Sequence, residues 1–369
     1  VTRTTGTNAG SYTSTASISS VTGGRAKIGN YALSGNTKAF TINKVAAGNP
    51  TLTAVTATYD GKAHYVTVSG GYGGTINYRT STNNSSWGSW STTKPSLTNA
   101  GVLYVQAYVV GDGNHNSTVA TGSVAITVNK ATVTIPGNPV KQYTYTGSAI
   151  SHGYTAPTGS AIETTGTTGS ATDAGTYNIV LKLTSTSNYQ WSDKTTTNKT
   201  INWKINPKSV AVTWGTTVTF TYNGQAQAPT ASATSGITGE TINVTRTTGT
   251  NAGSYTSTAS ISSVTGGRAR KENYTLTENT KAFTINKANA TMTDPTLVTG
   301  LVYNTKAQNL IAKAGNGAGG TIKYGLGENN TTAPTTWNTS VTGTDAGTYY
   351  VWSKVDADGN HNNVGAKYI

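Results

Sequence analysis

DAGTYNIVLKL, at Asp173–Leu183, sets Tyr177, Ile179, Leu181 and Leu183 at alternate positions behind an Asp-Ala-Gly turn. A period of two sends these side chains to one face of an extended chain, so the phrase predicts a half-buried β-strand entered through a turn. It recurs as NAGSYTSTASI at Asn8–Ile18 and Asn251–Ile261, NAGVLYVQAYV at Asn99–Val109 and DAGTYYVWSKV at Asp345–Val355. The acid alternates with Asn, which can neither give nor take a proton in acid–base chemistry. The shared requirement is read as an Asx turn before a strand.

Two further phrases keep step with this one. TYDGKAH (58–64), TYTGSAI (144–150), TYNGQAQ (221–227) and VYNTKAQ (302–308) precede it within a unit. KAFTINK (38–44 and 281–287), VAITVNK (124–130) and NWKINPK (202–208) close the units. VAITV again alternates, with Val124, Ile126 and Val128 on one face, while Asp60-Gly61, Asp112-Gly113 and Asn223-Gly224 are turn pairs. No window shows helical spacing. The expected fold is all-β: a linear array of small antiparallel sandwiches of immunoglobulin-like kind, about 80 residues each.

The units run 1–44 (the second half of a repeat), 45–130, 131–207, 208–287 and 288–369, the last expected to stop short of its closing strand. Residues 1–26 return unchanged at 244–269, and 1–44 match 244–287 at 38 of 44 positions. Unit 45–130 pairs with 288–369 through GGTI, one Trp (Trp90, Trp337) and DGNHN. A block of three units has therefore been copied, and the chain reads as a window on a longer tandem array. Between units there is neither a Gly/Ser tract nor a Pro-rich spacer, which predicts stiff joints.

Composition narrows the function classes. The chain has no Cys, which removes disulfides, thiolate metal sites and thiol chemistry. No apolar run approaches the roughly 18 residues of a membrane span. The net charge of +13 is scattered: 1–44 holds five basic residues and no acid, and the densest cluster is Arg268-Ala-Arg270-Lys271. A basic stripe interleaved with aromatics, as nucleic acid requires, is missing, so no specific nucleic-acid partner is expected.

The site-like strings are few. Asp356-Ala-Asp358-Gly-Asn360-His-Asn362 offers Asp356, Asp358 and Asn360 as a weak candidate metal site, but its Gly comes too early for a calcium loop and no closing Glu follows. His115 and His361 sit in matching turns with no recurrent nucleophile beside them. GGYGG (70–74) and GNGAGG (315–320) precede strands instead of helices, and are read as hairpin turns and not phosphate loops. Trp90 and Trp337 are expected in the cores, whereas Trp87 and Tyr72 are candidate glycan contacts. No catalytic residue and no cofactor is expected.

YDGKAH, GGTINY, NAGVLYVQAYVVGDGNHN and the closing ITVNK resemble the immunoglobulin-like repeats of giant bacterial surface proteins. GTNAGSYTSTA with NYTLTENTKAFTINK is similar to the YDG/MBG-type repeats of bacterial adhesins and filamentous haemagglutinin-like proteins. The resemblance spans the chain and implies an extracellular surface or filament segment, a stalk whose partners are its neighbouring repeats and laterally associated chains. It carries no catalytic residues. Tyr303-Asn-Thr-Lys306 departs from YDGK, and Asn304 is expected to take the positive φ that Gly61 supplies. The alternative function is a repeat array that binds glycans or anionic wall polymers.

Overall fold

Alternation does what it predicts: in the strand Gly175–Leu183, Ile179 and Leu181 are fully buried and Leu183 nearly so. A computed structural model describes residues 2–369 and is all-β. Among the described residues, helical geometry is confined to single turns at Ile28–Asn30 and Lys271–Asn273. The chain gathers into two compact units. One comprises the chain up to Val140, Gly153–Gly169 and Asn178–Asn202; the other comprises Lys141–His152, Ser170–Tyr177 and Trp203–Ile369. Repeat 131–207 thus contributes to both, and every other repeat falls within one.

In the first unit, repeat 45–130 is a sandwich built around Gly101–Gly111, which pairs antiparallel with Gly74–Ser81 and Val124–Asn129. Val55–Thr58 joins the edge in parallel. The facing layer is made of two short pairs, Pro50–Thr53 with Thr67–Gly70 and His64–Tyr65 with Ser96–Leu97. Val66, Tyr78, Val105, Ala107, Ile126 and Val128 fill the space between, against Leu52, Val68 and Leu97. Each of the valines and isoleucines contributes roughly 1.5–3 kcal/mol by leaving water. The portion of repeat 131–207 in this unit pairs Ser160–Glu163 with residues 180–183 and buries Trp191 and Ile201.

In the second unit, repeat 208–287 forms one seven-stranded sheet. Its longest strand, Gly253–Thr265, pairs along one length with Thr280–Asn286 and along the other with Thr241–Arg246, across a bulge at Asn243/Val244. A bulge adds local twist, which lets one strand serve both layers. Repeat 288–369 centres on Tyr350–Ala357 between Gly320–Gly327 and Val364–Tyr368, over Leu310, Ile311, Tyr324, Val341 and Val351. Trp203 is wholly buried, with Tyr143, His152 and Tyr177 around it.

Three local expectations need correction. The Gly-rich segments 70–74 and 315–320 are not hairpins. Thr67–Gly70 and Gly74–Ser81 pair with different partners, as do Asn316–Ala318 and Gly320–Gly327, so both segments cross between layers. At 303–306 the residue with positive φ is Thr305 (61°), the counterpart of Gly61, Gly147 and Gly224. Asn304 instead stays in the Asx role: its Oδ1 accepts from Lys306 N, as Asp60 does from Lys62 N and Asn223 from Gln225 N. Finally, Trp90 and Trp337 are half-buried, each beneath a cation (Arg79 and Lys354), and the buried tryptophans are Trp191, Trp203 and Trp352.

The joints between repeats are short. A single residue separates Val124–Asn129 from Ala131–Val133 (Lys130), Lys199–Asn206 from Lys208–Trp214 (Pro207), and Thr280–Asn286 from Ala288–Asn289 (Lys287). The entry strands then pair in parallel with late strands of their own repeat: 45–46 with 115–116, 131–133 with 189–191, 208–211 with 274–277 and 288–289 with 361–362.

Candidate interface between repeats

Each of those late strands starts at or just after an asparagine: Asn114, Asn188, Asn273 and Asn360. The carboxamide of each reaches the Asx-Ala-Gly turn of the preceding repeat. Its Oδ1 accepts from the alanine N–H: Ala9 at 2.7 Å, Ala100 at 2.9 Å, Ala174 at 2.7 Å and Ala252 at 2.8 Å. Its Nδ2 donates to the side-chain oxygen of the residue before that alanine: Asn8 at 3.2 Å, Asn99 at 3.1 Å, Asp173 at 3.1 Å and Asn251 at 3.3 Å. A backbone N–H can only donate, so the atom facing it must be Oδ1, which fixes the orientation of the amide. Asn273 is wholly buried and Asn188 8% exposed.

The same asparagines also fix the joint on their own side. The backbone carbonyls of Asn114, Asn188 and Asn360 accept from Val45, Ala131 and Ala288, the first residue of each entry strand. One residue thus ties the incoming chain, its own late strand and the neighbour's turn together. The acid or amide of the turn phrase therefore serves the next repeat, which corrects the reading of it as a local Asx turn.

A small socket holds the turn in shape. The tyrosine four residues on donates its hydroxyl to the turn residue's carbonyl: Tyr12 to Asn8, Tyr177 to Asp173, Tyr255 to Asn251 and Tyr349 to Asp345, at 2.6–2.8 Å. In three copies a glycine lies under that ring; a Cβ on Gly6, Gly249 or Gly343 would meet it at 2.5–2.9 Å. The tyrosine of the T-Y-x-G phrase completes the joint by meeting the ring after the asparagine: Tyr59 with Tyr189, Tyr145 with Tyr274, and Tyr222 with His361, centroids 5.2–5.5 Å apart and edge to face.

One joint adds charge. Asp173, the only turn acid met by a following repeat, accepts from Arg268 Nε at 3.1 Å and Nη2 at 2.7 Å, and from Arg270 Nη1 at 3.3 Å. The hydrogen bond from Arg268 holds its carboxyl down to about 2, against the opposing pull of burial. Beside it Glu240, 8% exposed, accepts from Tyr145 Oη at 2.6 Å, Tyr274 Oη at 2.5 Å and Arg268 N at 3.2 Å. Burial opposes ionisation of Glu240, yet these donors outweigh it and keep its carboxyl below the ordinary range. Burial and then the bond to Glu240 push Tyr145 up to about 12, and push Tyr274 up as well. Arg268 and Arg270 were visible in the sequence only as a basic cluster, and Glu240 carried no signal at all.

The other candidates lie apart. Asp356 pairs with Lys354, Asp358 accepts from Asn360 N and contacts His361 Nδ1, and Asn360 is spent on Ala252 and Asn251. Among the described residues no group of three His, Cys, Asp or Glu is placed to hold a metal. Trp87 is half-buried with Arg79 over its ring, 5.1 Å from the centroid, and the same guanidinium lies 4.6 Å from the centroid of Trp90. Tyr72 is 68% exposed but sits before Gly74–Ser81, against Gly48 and His115, while Arg79 lies near the far end of that strand. The two proposed glycan contacts are not brought together. No helix among the described residues is long and apolar enough to cross a membrane.

No family model and no curated protein matches this chain. Among solved structures it is similar to immunoglobulin domains 1–5 of Sidekick-1, with 10% identity and a TM-score of 0.21 over 88% of this chain and 78% of that one. It is also similar to SGBP-B of the Bacteroides ovatus mixed-linkage glucan utilization locus, in complex with a mixed-linkage heptasaccharide. There the identity is 13% and the TM-score 0.15, over 87% of this chain and 97% of that one.

Proposed function

We propose that this chain is a spacer: a stalk or filament segment of an extracellular bacterial surface protein, whose repeats are locked one to the next so that copying adds reach. The observation that carries the reading is the recurrence of one asparagine bridge, atom for atom, at four successive junctions. At three of these junctions a one-residue linker and a ring contact join the bidentate amide, and together they leave the joint little freedom to hinge. The reading needs no chemical step, and the bacterial surface location rests on the sequence resemblance. Binding of glycans or anionic polymers has weaker support, since Trp87 already carries Arg79 on its ring.

Small-angle scattering of the full chain tests the spacer directly. The expected result is a stiff, extended particle that becomes more flexible in the double variant Asn188→Ala/Asn273→Ala while keeping its β-sheet circular dichroism. A parent chain as flexible as the variant sinks the proposal. Protease shaving of intact host cells, with loss of the protein from the cell fraction, tests the location.

A further inference from the structure

The outer face of repeat 45–130 carries a cluster that the joints do not use. In the strand Gly74–Ser81, Ile76 and Tyr78 belong to the core, so Arg79 stands on the opposite face, directly across from Gln106 of Gly101–Gly111. Tyr104 and Tyr108 share that face, since Val105, Ala107 and Val109 are buried. The Arg79 guanidinium lies over two indoles, 5.1 Å from the Trp87 centroid and 4.6 Å from that of Trp90. Trp90 in turn packs edge to face on Tyr108, at 4.5 Å. Arg79 Nε donates to Gln106 Oε1 at 2.8 Å. Stacking and that bond set the plane of the guanidinium, while its two Nη groups make no hydrogen bond or ion pair among the described residues.

The repeat holds no acid in reserve for that fork. Its acids are Asp60 and Asp112, and each is taken by a backbone N–H of its own turn and by a histidine. Nor is Arg79 part of the repeat grammar. The same cross-strand pair is Glu163 with Val180 in 131–207, where Lys182 meets the acid, and Gly325 with Trp352 in 288–369. The sandwich therefore forms without an arginine at this place. We propose that the patch binds a carboxylate borne on a sugar ring, the group that polysaccharides of hexuronic acids repeat along their length. A guanidinium fork presents two parallel N–H donors at the spacing of the two carboxylate oxygens. Because the fork is already held, little rotamer freedom is lost on binding. The half-buried indole and phenol rings around it offer an apolar surface to the C–H face of a pyranose. A neutral sugar meets the same rings but leaves the fork in water, so the charge sets the specificity.

This gives the glycan-or-anion reading a ligand class and a set of residues, and it is independent of the spacer role: the scattering result stands whether or not the patch binds. Isothermal titration of the full chain with a galacturonic-acid trisaccharide, at about 0.15 M salt, tests it. Saturable binding is expected, with none for the neutral galactose trisaccharide. Arg79→Lys keeps the net charge but loses the fork, and should weaken binding about tenfold, the share of a charge-assisted bidentate contact. Gln106→Glu sets an acid against Arg79 Nε and neutralises the fork from within, so it should weaken binding at least as much. Lys62→Gln, which removes one exposed charge from the Asp60 turn, should leave the affinity unchanged. Thermal midpoints of the variants report that each is folded, and Gln106→Glu carries the test if Arg79→Lys is not. No saturable binding, equal binding of the neutral trisaccharide or of a glutamate tripeptide, or undiminished affinity in a folded Arg79→Lys or Gln106→Glu chain would each overturn the proposal.

Discussion

An asparagine holds each joint because a carboxamide presents one acceptor and one donor side by side, the pattern an alanine N–H and a neighbouring side-chain oxygen require. At Asn273, wholly buried, truncation leaves the Ala174 N–H without an acceptor. Asn273→Ala is expected to cost about 1–3 kcal/mol in urea denaturation, the usual penalty of a stranded buried donor. Asp173 separates the amide bridge from the ion pair. Asp173→Asn keeps an acceptor for Asn273 and should cost only about 1 kcal/mol, because both guanidinium groups are half-exposed and screened. The pH dependence has a definite sign. With its carboxyl lowered from 3.8 to about 2, Asp173 stabilises the fold fully above pH 3.8 and loses that contribution as pH falls towards 2. Acid titration of stability should show that loss in the parent chain, and Asp173→Asn should flatten it.

At the scale of elements, the strand and turn signals were legible because they are local. The alternation at 177–183, the Asx-Gly pairs and the closing strands all reappear as the elements they predict. Thr305 shows where local grammar was misapplied: the turn places its positive φ at the fourth position of the phrase, whichever residue stands there. A β-branched residue in that region is strained by roughly 1–2 kcal/mol. Thr305→Gly should therefore raise the thermal midpoint, less a few tenths of a kcal/mol for the freer unfolded chain. Gly249 makes the opposite point. Its Cβ would lie 2.8 Å from the Tyr255 ring, so Gly249→Ala should displace the ring and lower stability by roughly 1–3 kcal/mol, measurable by denaturant titration. The recurrent Gly two residues before the Asx turn was the signal in the sequence that could have revealed that packing.

At the scale of the whole molecule, one string occupies two environments. Residues 1–26 and 244–269 are identical, yet Ala259 and Val264 are buried where Ala16 and Val21 are only partly so. Downstream, Phe283 and Ile285 are 4% and 1% exposed, while Phe40 and Ile42 remain partly accessible. Phe220, Val218 and Tyr222 cover the second copy. Hydrogen exchange should therefore be much faster at Tyr12–Ser17 than at Tyr255–Ser260 although the residues are the same, because protection follows burial and packing more than sequence. Equal protection would mean that the strand pairing alone sets local stability.

The sequence by itself determined the alternating strands, the Asx-Gly turns and the absence of thiol chemistry, since each rests on periodicity or composition within a few residues. Tertiary structure alone decided which asparagine meets which turn. The bridging partners lie 105, 88, 99 and 108 residues apart, across a repeat boundary, and no local pattern encodes such a distance. It also decided that Glu240 sits between two tyrosines and that Arg268 belongs to Asp173. A hydrogen bond is specified by where two polar groups arrive, and only the packed chain brings them there.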